Sequence, residues 1–279
     1  MSIVAYAPDD LTVSATADTT LAALQQHIGT RGQWLPIDPP HADRVTIGDI
    51  INRNLSGPRR YGYGTIRERL LAIRVELADG TCVKAGAPVV KSVAGYDLCR
   101  LFTGAQGELG AVREATFKIQ SLPEAEQFVE ARFDSAEAAC GFVEQVDTSP
   151  LTPVVVDLHN AAGHGTWMVV IGFAGPQEEV EWQRREVAKL ATVFDSSLDY
   201  ETRFWSAGAS DPVRKSSVLP SKLCDALKPL RVPLVARAGN GVIYYRGGPE
   251  PPKMELPVKL MQALKNEFDP ANKFPSITA

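Results

Sequence analysis

Four glycines in the segment KSVAGYDLCRLFTGAQGELGAVREATFKIQ, namely Gly95, Gly104, Gly107 and Gly110, have the type and spacing that point most directly to chemistry in this chain. Without a Cβ, each lets the main chain take positive φ or lie close against a partner. They therefore read either as tight turns or as backbone built to approach a large flat ligand. Ser56-Gly57-Pro58 is open to the same two readings. Arg59-Arg60 behind it supplies either a guanidinium fork for an anion or a solvated surface pair. Metal chemistry has little support: Cys82, Cys99, Cys140 and Cys224 are scattered, with no CxxC pair and no histidine at ligand spacing, and read as small buried hydrophobes. His159 and His164 read as loop residues of a hairpin. Arg214, Lys222 and Arg237 are cations suited to a small carboxylate, and Trp205 and Tyr244 read as core or as walls of a flat slot.

The elements that must position these residues fall into two blocks. In the first, Val4–Tyr6 and Leu11–Ala15 read as strands around an Asp9-Asp10 turn, and Thr20 caps a helix from Leu21 to Ile28. Leu70–Leu77 and Thr81–Lys84 form a hairpin across Asp79-Gly80, Asp97 caps a short helix to Phe102, and Ala111–Ile119 is a strand. In the second block the order is a strand at Gln127–Phe133, a helix capped by Ser135, strands at Val154–Leu158 and Trp167–Phe173, and a long helix from Gln177 to Phe194. That β-α-β-β-α order predicts a ferredoxin-like antiparallel layer with helices on one face. A helix over Leu219–Leu227, strands at Pro233–Ala238 and Gly241–Tyr245 and a last helix over Pro257–Phe268 complete the chain.

Composition excludes some classes. The 279 residues carry 29 basic and 33 acidic side chains, a net charge of −4, with no basic tract to meet nucleic acid or anionic lipid. No stretch approaches the ~20 apolar residues of a membrane span, and the N-terminus lacks the pattern of a signal peptide. The expectation is a cytoplasmic protein.

Several motifs in order carry a resemblance. TIGDIINRNLSGPRRYGYGTIRE, VELADGTCVKAG and KSVAGYDLCRLFTGAQGELGAVREATFKI, followed by ARAGNGVIYYRGG and LKNEFDPANKF, resemble the flavin-linked oxidases of the vanillyl-alcohol-oxidase type. Among these the chain is most similar to the FAD-binding subunits of bacterial glycolate oxidases. The resemblance implies an α+β fold: an FAD-binding domain over residues 1–123, a ferredoxin-like antiparallel cap domain over 124–256, and a C-terminal helix over 257–279 returning to the first domain. It implies FAD as cofactor, contacted by Thr46, Ile47, Gly48, Asn52, Ser56 and Gly57 in one loop. Tyr61 and Gly62 would serve in a second, and Gly104, Gly107, Gly110, Ala111 and Val112 in a third.

Two departures from the family pattern bear on that expectation. Family members begin with a βαβ unit whose glycine-rich loop wraps the pyrophosphate, and this chain starts at the position equivalent to a later strand, MSIVAYAPDDLTV, so that the domain is expected to be truncated. Asp49 stands where the family prefers a second glycine, and a carboxylate there repels phosphate unless it turns outward. The histidine and acid cluster of the hydroxy-acid-oxidising relatives is replaced by Ala236-Arg237-Ala238-Gly239-Asn240-Gly241, which leaves no catalytic residue and no metal ligand assigned. The resemblance therefore implies an FAD-binding subunit acting on a 2-hydroxy acid with a catalytic flavoprotein and an iron-sulfur subunit, peripheral to a membrane through those partners. A structural subunit that has lost FAD, and a separate enzyme using another small ligand, are the alternatives.

Overall fold

The computed structural model describes residues 2–87, 97–160, 165–207, 211–252 and 257–277. Gly95 and His164 lie outside the described residues. The chain divides into two compact units, one of residues 1–57, 64–122 and 254–279, the other of residues 58–63 and 123–253.

The first unit opens with β1 (Ile3–Ala7) and β2 (Thr12–Thr16), antiparallel across a turn in which Asp10 N donates to Ala7 O. Thr20 accepts a hydrogen bond from Ala23 N and so starts α1 (Leu21–Gly29). After β3 (Gln33–Trp34) comes α2 (Ile47–Arg53), with Thr46 as its N-cap, so Thr46-Ile47-Gly48 begin a helix and not a loop. The isoleucines of this helix, Ile47, Ile50 and Ile51, are fully buried. Burying each stabilises the unit by about 1.5–3 kcal/mol. The short α3 (Arg60–Tyr63) interrupts the unit and packs in the other one, because Gly62 N donates to Val154 O at 3.1 Å.

The first unit resumes with α4 (Ile66–Arg69), β4 (Leu70–Glu76) and β5 (Cys82–Gly86). Asp79 Oδ1 holds the β4–β5 turn by accepting from Thr81 N at 2.8 Å. Asp97 accepts from Arg100 N and caps α5 (Leu98–Phe102), and β6 (Ala111–Lys118) and β7 (Gln120–Ser121) follow. The sheet order is β1-β2-β6-β4-β5, all antiparallel. Val13, Ala15, Ile73, Val75, Ala115 and Phe117 point to one face, where they form a single core with α1 and α2. On the opposite face Ser14 and Thr116 pair at 2.8 Å and Arg74 pairs with Glu114 at 3.3 Å.

The second unit continues with β8 (Ala125–Phe133), α6 (Ala136–Asp147), β9 (Val155–His159), β10 (Trp167–Gly175), α7 (Gln177–Val187) and β11 (Val193–Ser196). These strands lie in the order β11-β8-β10-β9, the fourth, first, third and second of the set, which is the ferredoxin-like arrangement. The helix expected to reach Phe194 stops at Val187. Val193 and Phe194 join the sheet by pairing with Ala131 and Glu130, so sheet pairing overrides the helical pattern of the last turns.

After α8 (Asp199–Ser206) and β12 (Val213–Ser217) come α9 (Leu223–Leu227), β13 (Leu234–Arg237) and β14 (Val242–Arg246). Strands β13, β14 and β12 extend the sheet to seven strands beyond β9. α6, α7 and α9 cover one face through Phe142, Val180 and Leu227. Helices were expected on that face alone; α8 covers the other through Tyr200 and Phe204, which pack on Val170 and Val235. The chain ends in the first unit with α10 (Val258–Phe268). Among the described residues, no helix is long and apolar enough to cross a membrane.

Candidate functional site

The glycine segment of the first unit is built on the C-terminal end of α2. Asn54 ends that helix in the left-handed conformation, φ 46°. The chain from Gly104 to Gly107 folds onto the same end: Gly104 N donates to Ile51 O at 2.9 Å and Gln106 N to Asn52 O at 2.8 Å. Gly104 and Gly107 have φ of +85° and +75°, and a Cβ at either would meet nothing closer than 3.7 Å. Their requirement is conformational and they leave open space. The Asn54 carboxamide oxygen is buried there with no hydrogen-bond partner among the described residues, and Asn52 Nδ2 lies 3.8 Å from the position of a Cβ on Gly107.

The other expected contacts are held by the fold itself. Ile47 N donates to Thr19 O and Gly48 N to Ala17 O, each at 2.8 Å. Asp49 N donates to Thr46 Oγ1 at 3.1 Å, and the Asp49 carboxylate accepts from Thr46 N at 3.1 Å. Asp49 is thus the N3 residue of a capping box and turns back on its own helix. Ser56 is buried, and a Cβ on Gly57 would overlap the Asp38 carbonyl. Gly110 has Val75 Cγ1 2.6 Å from its Cβ position, and Ala111 and Val112 pair with Glu76 and Val75 as the start of β6. Tyr61 and Gly62 belong to the second unit, where Tyr61 Oη donates to Asp147 at 3.1 Å and Gly62 lies against Val154. Arg59 is no phosphate fork: it pairs with Glu126, Nε to Oε1 at 2.7 Å.

The second unit holds a buried charge cluster on the face covered by α8. Arg237, 2% exposed, binds Glu201 in bidentate fashion, Nη1 to Oε1 at 2.7 Å and Nη2 to Oε2 at 2.8 Å, and also donates to Asp157 Oδ2. Tyr200 Oη donates to the same Asp157 oxygen at 2.6 Å, and His159 stacks on the Tyr200 ring at 4.5 Å. Burial pushes the Asp157 carboxyl up to about 7, Arg237 opposing and Glu201 adding. Burial also brings His159 down to about 4, with Arg203 acting the same way. His159 is a buried strand residue, not the loop residue expected. Arg237, committed to two carboxylates, has no fork to offer a substrate acid. Trp205 donates to Glu201 at 2.9 Å and packs edge-on against Tyr244. Arg214 donates to Gly248 O, and Lys222 ends an exposed turn.

Sequence reading missed Asp157, Tyr200 and Glu201, which come from β9 and α8 and meet Arg237 only in the folded sheet. It also missed Asn54 and Lys265, whose buried ammonium donates to Glu108 O in the glycine segment at 2.8 Å. A buried lysine leaves no periodic signal, and Asn54 is marked only by the left-handed helix end that asparagine tolerates.

A dinucleotide-like ligand such as FAD presents hydroxyl and N–H donors along its sugar and ring portions and a dianionic pyrophosphate between them. The end of α2 fits the donor-rich portions: it offers a buried carbonyl oxygen with no partner among the described residues, open space at two glycines, and the partial negative charge of a helix C-terminus. It is the wrong pole for phosphate, and the amides of residues 47–49 at the positive pole are already committed.

Residues 1–86 match the family model described as the FAD binding domain. The chain is similar to glycolate oxidase subunit GlcE of Escherichia coli, 34% identical over 152 residues, 54% of this chain and 43% of that protein. It is similar to glycolate oxidase subunit GlcD of Bacillus subtilis, 32% identical over 151 residues, 53% of this chain and 32% of that one. A third relative is a mitochondrial D-lactate dehydrogenase of Saccharomyces cerevisiae, 36% identical over 141 residues, half of this chain and 24% of that protein. The matches thus span less than half the length of these relatives. Among solved structures, alkyldihydroxyacetonephosphate synthase superposes with a TM-score of 0.73 over 97% of this chain and 64% of its own, at 17% identity, which is a likeness of fold.

Proposed function

The chain belongs to the FAD-linked oxidase superfamily, and from that premise we propose that it is the FAD-binding subunit of a complex oxidising glycolate or a similar 2-hydroxy acid. The observation that carries the reading is the joining of Gly104–Gly107 to the end of α2, beside the buried Asn54 oxygen that has no partner among the described residues; α2 lies within residues 1–86, which match the FAD binding domain. Bound FAD supplies an acceptor for the electron pair removed from the hydroxy acid. In this chain Asn54 would accept a hydrogen bond from a donor on the sugar or ring portion, and Gly104 and Gly107 would hold the main chain clear of it. Thr46, Ile47 and Gly48 act at one remove, by fixing where α2 starts and therefore where it ends.

Among the described residues, the second unit's buried charged groups offer no base for a substrate's hydroxyl proton in this reading, because Arg237, Asp157 and Glu201 are bonded to one another. Electrons and substrate would therefore pass through partners: a catalytic flavoprotein subunit and an iron-sulfur subunit, through which the complex would sit at a membrane surface. The same cluster, together with the committed amides of residues 47–49, favours the second reading, a structural subunit of that complex that does not retain FAD.

The test is the visible absorption of the purified chain after incubation with excess FAD and gel filtration. A flavin spectrum that survives the column supports the first reading, and its loss in Asn54→Leu would place the flavin at the end of α2. A colourless chain that still assembles with the partner subunits supports the second.

A further inference from the structure

Cys140 and Cys224 are 84 positions apart, and the fold brings them together. Cys140 lies on α6 and Cys224 on α9, two helices that pack on the same face of the second unit's sheet. Both thiols line one cavity of about 500 Å³, whose wall is otherwise mostly apolar, with Val143, Leu219 and Leu223 among its side chains. Tyr61 and Gly239, which lie against each other, also line it, and Tyr61 is anchored there by Asp147. The two sulfurs are close enough to act on each other: burial pushes the Cys140 thiol up to about 12, and the neighbouring Cys224 adds to that shift as a charge and a hydrogen-bond partner. Cys140 is 7% exposed, whereas Cys224 is half-buried and is the more accessible of the two. The other two cysteines have no such arrangement: Cys99 is buried in the first unit with its thiol directed at Leu71 O and Ala85 O, and Cys82 is exposed on β5.

We propose that Cys140 and Cys224 form a dithiol site that hydrogen peroxide converts to a disulfide, pinning α9 to α6 and closing the cavity beside Tyr61 and Gly239. In the first step the Cys224 sulfur attacks peroxide, an S–O bond forms as the O–O bond breaks, and Cys224 sulfenic acid and water result. In the second the Cys140 sulfur displaces that hydroxyl, an S–S bond forms as the S–O bond breaks, and a second water leaves with the Cys140 proton. One peroxide is reduced by two electrons and two thiols are oxidised to one disulfide. The high proton affinity of Cys140 makes the second step slow at neutral pH and faster as pH rises, because the thiolate is the attacking form.

The experiment uses the full chain treated with stoichiometric peroxide, alkylated and digested without reductant. The expected product is a peptide pair linking Cys140 to Cys224, formed faster at higher pH and absent in Cys224→Ser and in Cys140→Ser. Cys224 carried to sulfinic acid while Cys140 remains alkylatable would overturn the proposal, as would a linkage of either residue to Cys82. Phenylarsine oxide provides a second measurement that needs no oxidant, since it condenses with two facing thiols and releases water. One arsenical retained by the reduced chain and lost in either single variant is the expected result, and retention unchanged in both variants would overturn the pairing.

Discussion

Lys265 donates from its buried ammonium to the carbonyl of Glu108 at 2.8 Å, which fastens the C-terminal part of the first unit to the glycine segment. The same ammonium bonds Asp269 Oδ2 at 2.5 Å, Pro275 O at 3.0 Å and Phe274 O at 3.2 Å. Asp269 in turn accepts from Lys273 N and Phe274 N at 2.9 Å each. Lysine is rarely buried this deeply, and here its charge is met by a carboxylate and three carbonyls.

Removing the ammonium leaves Asp269 buried without its counter-charge. Lys265→Met is expected to cost about 3–5 kcal/mol, while Lys265→Met with Asp269→Leu costs less than the single change, because breaking a buried pair is worse than replacing both partners. Urea unfolding followed by circular dichroism checks the order of the two variants. A single change no worse than the double would mean that the clamp carries no net charge compensation.

The glycines separate into two kinds. Gly57→Ala forces a methyl onto the Asp38 carbonyl and is expected to cost about 3 kcal/mol or more, since the clash is with backbone. Gly107→Ala has room and meets only the penalty of φ +75°, about 1–2 kcal/mol. Thermal unfolding of the two variants compares them directly. Equal losses would show that Gly57 relaxes.

Much of the framework is legible in the letters and much of the site is not, for physical reasons that particular residues show. Thr20, Asp97 and Ser135 sit at helix starts because a short side-chain oxygen bonding a free amide is a local event. Asp79-Gly80 closes its hairpin for the same kind of reason. Thr46 and Asp49 are equally local, their three-residue spacing being that of a capping box in which each side chain serves the other's amide. Arg237 is different: its partners Asp157 and Glu201 lie 80 and 36 residues away, and only the sheet order and the placement of α8 bring them to it. Periodicity cannot report such a meeting, and Cys140 with Cys224 is a second case of it.

The capping box gives a measurable coupling. Asp49→Ala and Thr46→Ala are each expected to cost about 0.5–2 kcal/mol, and the double variant less than their sum, because each side chain serves the other's amide. A double-mutant cycle by chemical denaturation reads the coupling. Strict additivity would mean that the Asp49 carboxylate does not spend its time on Thr46 in solution.

His159 and Asp157 act oppositely on stability over nearly the same pH range. The histidine, held down to about 4 by burial, stabilises the folded unit above the unfolded value near 6.5, and that contribution is lost as pH falls towards 4. Asp157, raised to about 7, contributes stability that is fully present below about 4 and is lost as pH rises towards 7. Their slopes offset in the native chain, so His159→Gln should unmask the carboxyl: the variant grows less stable from pH 4 to 7 relative to the native chain. The histidine's share over that range is about 3 kcal/mol, from a shift of roughly two and a half units at 1.36 kcal/mol each. Unfolding midpoints of the two proteins measured in parallel across pH 4–7 test it, and a constant difference between them would mean that His159 is not kept neutral by its burial against Tyr200.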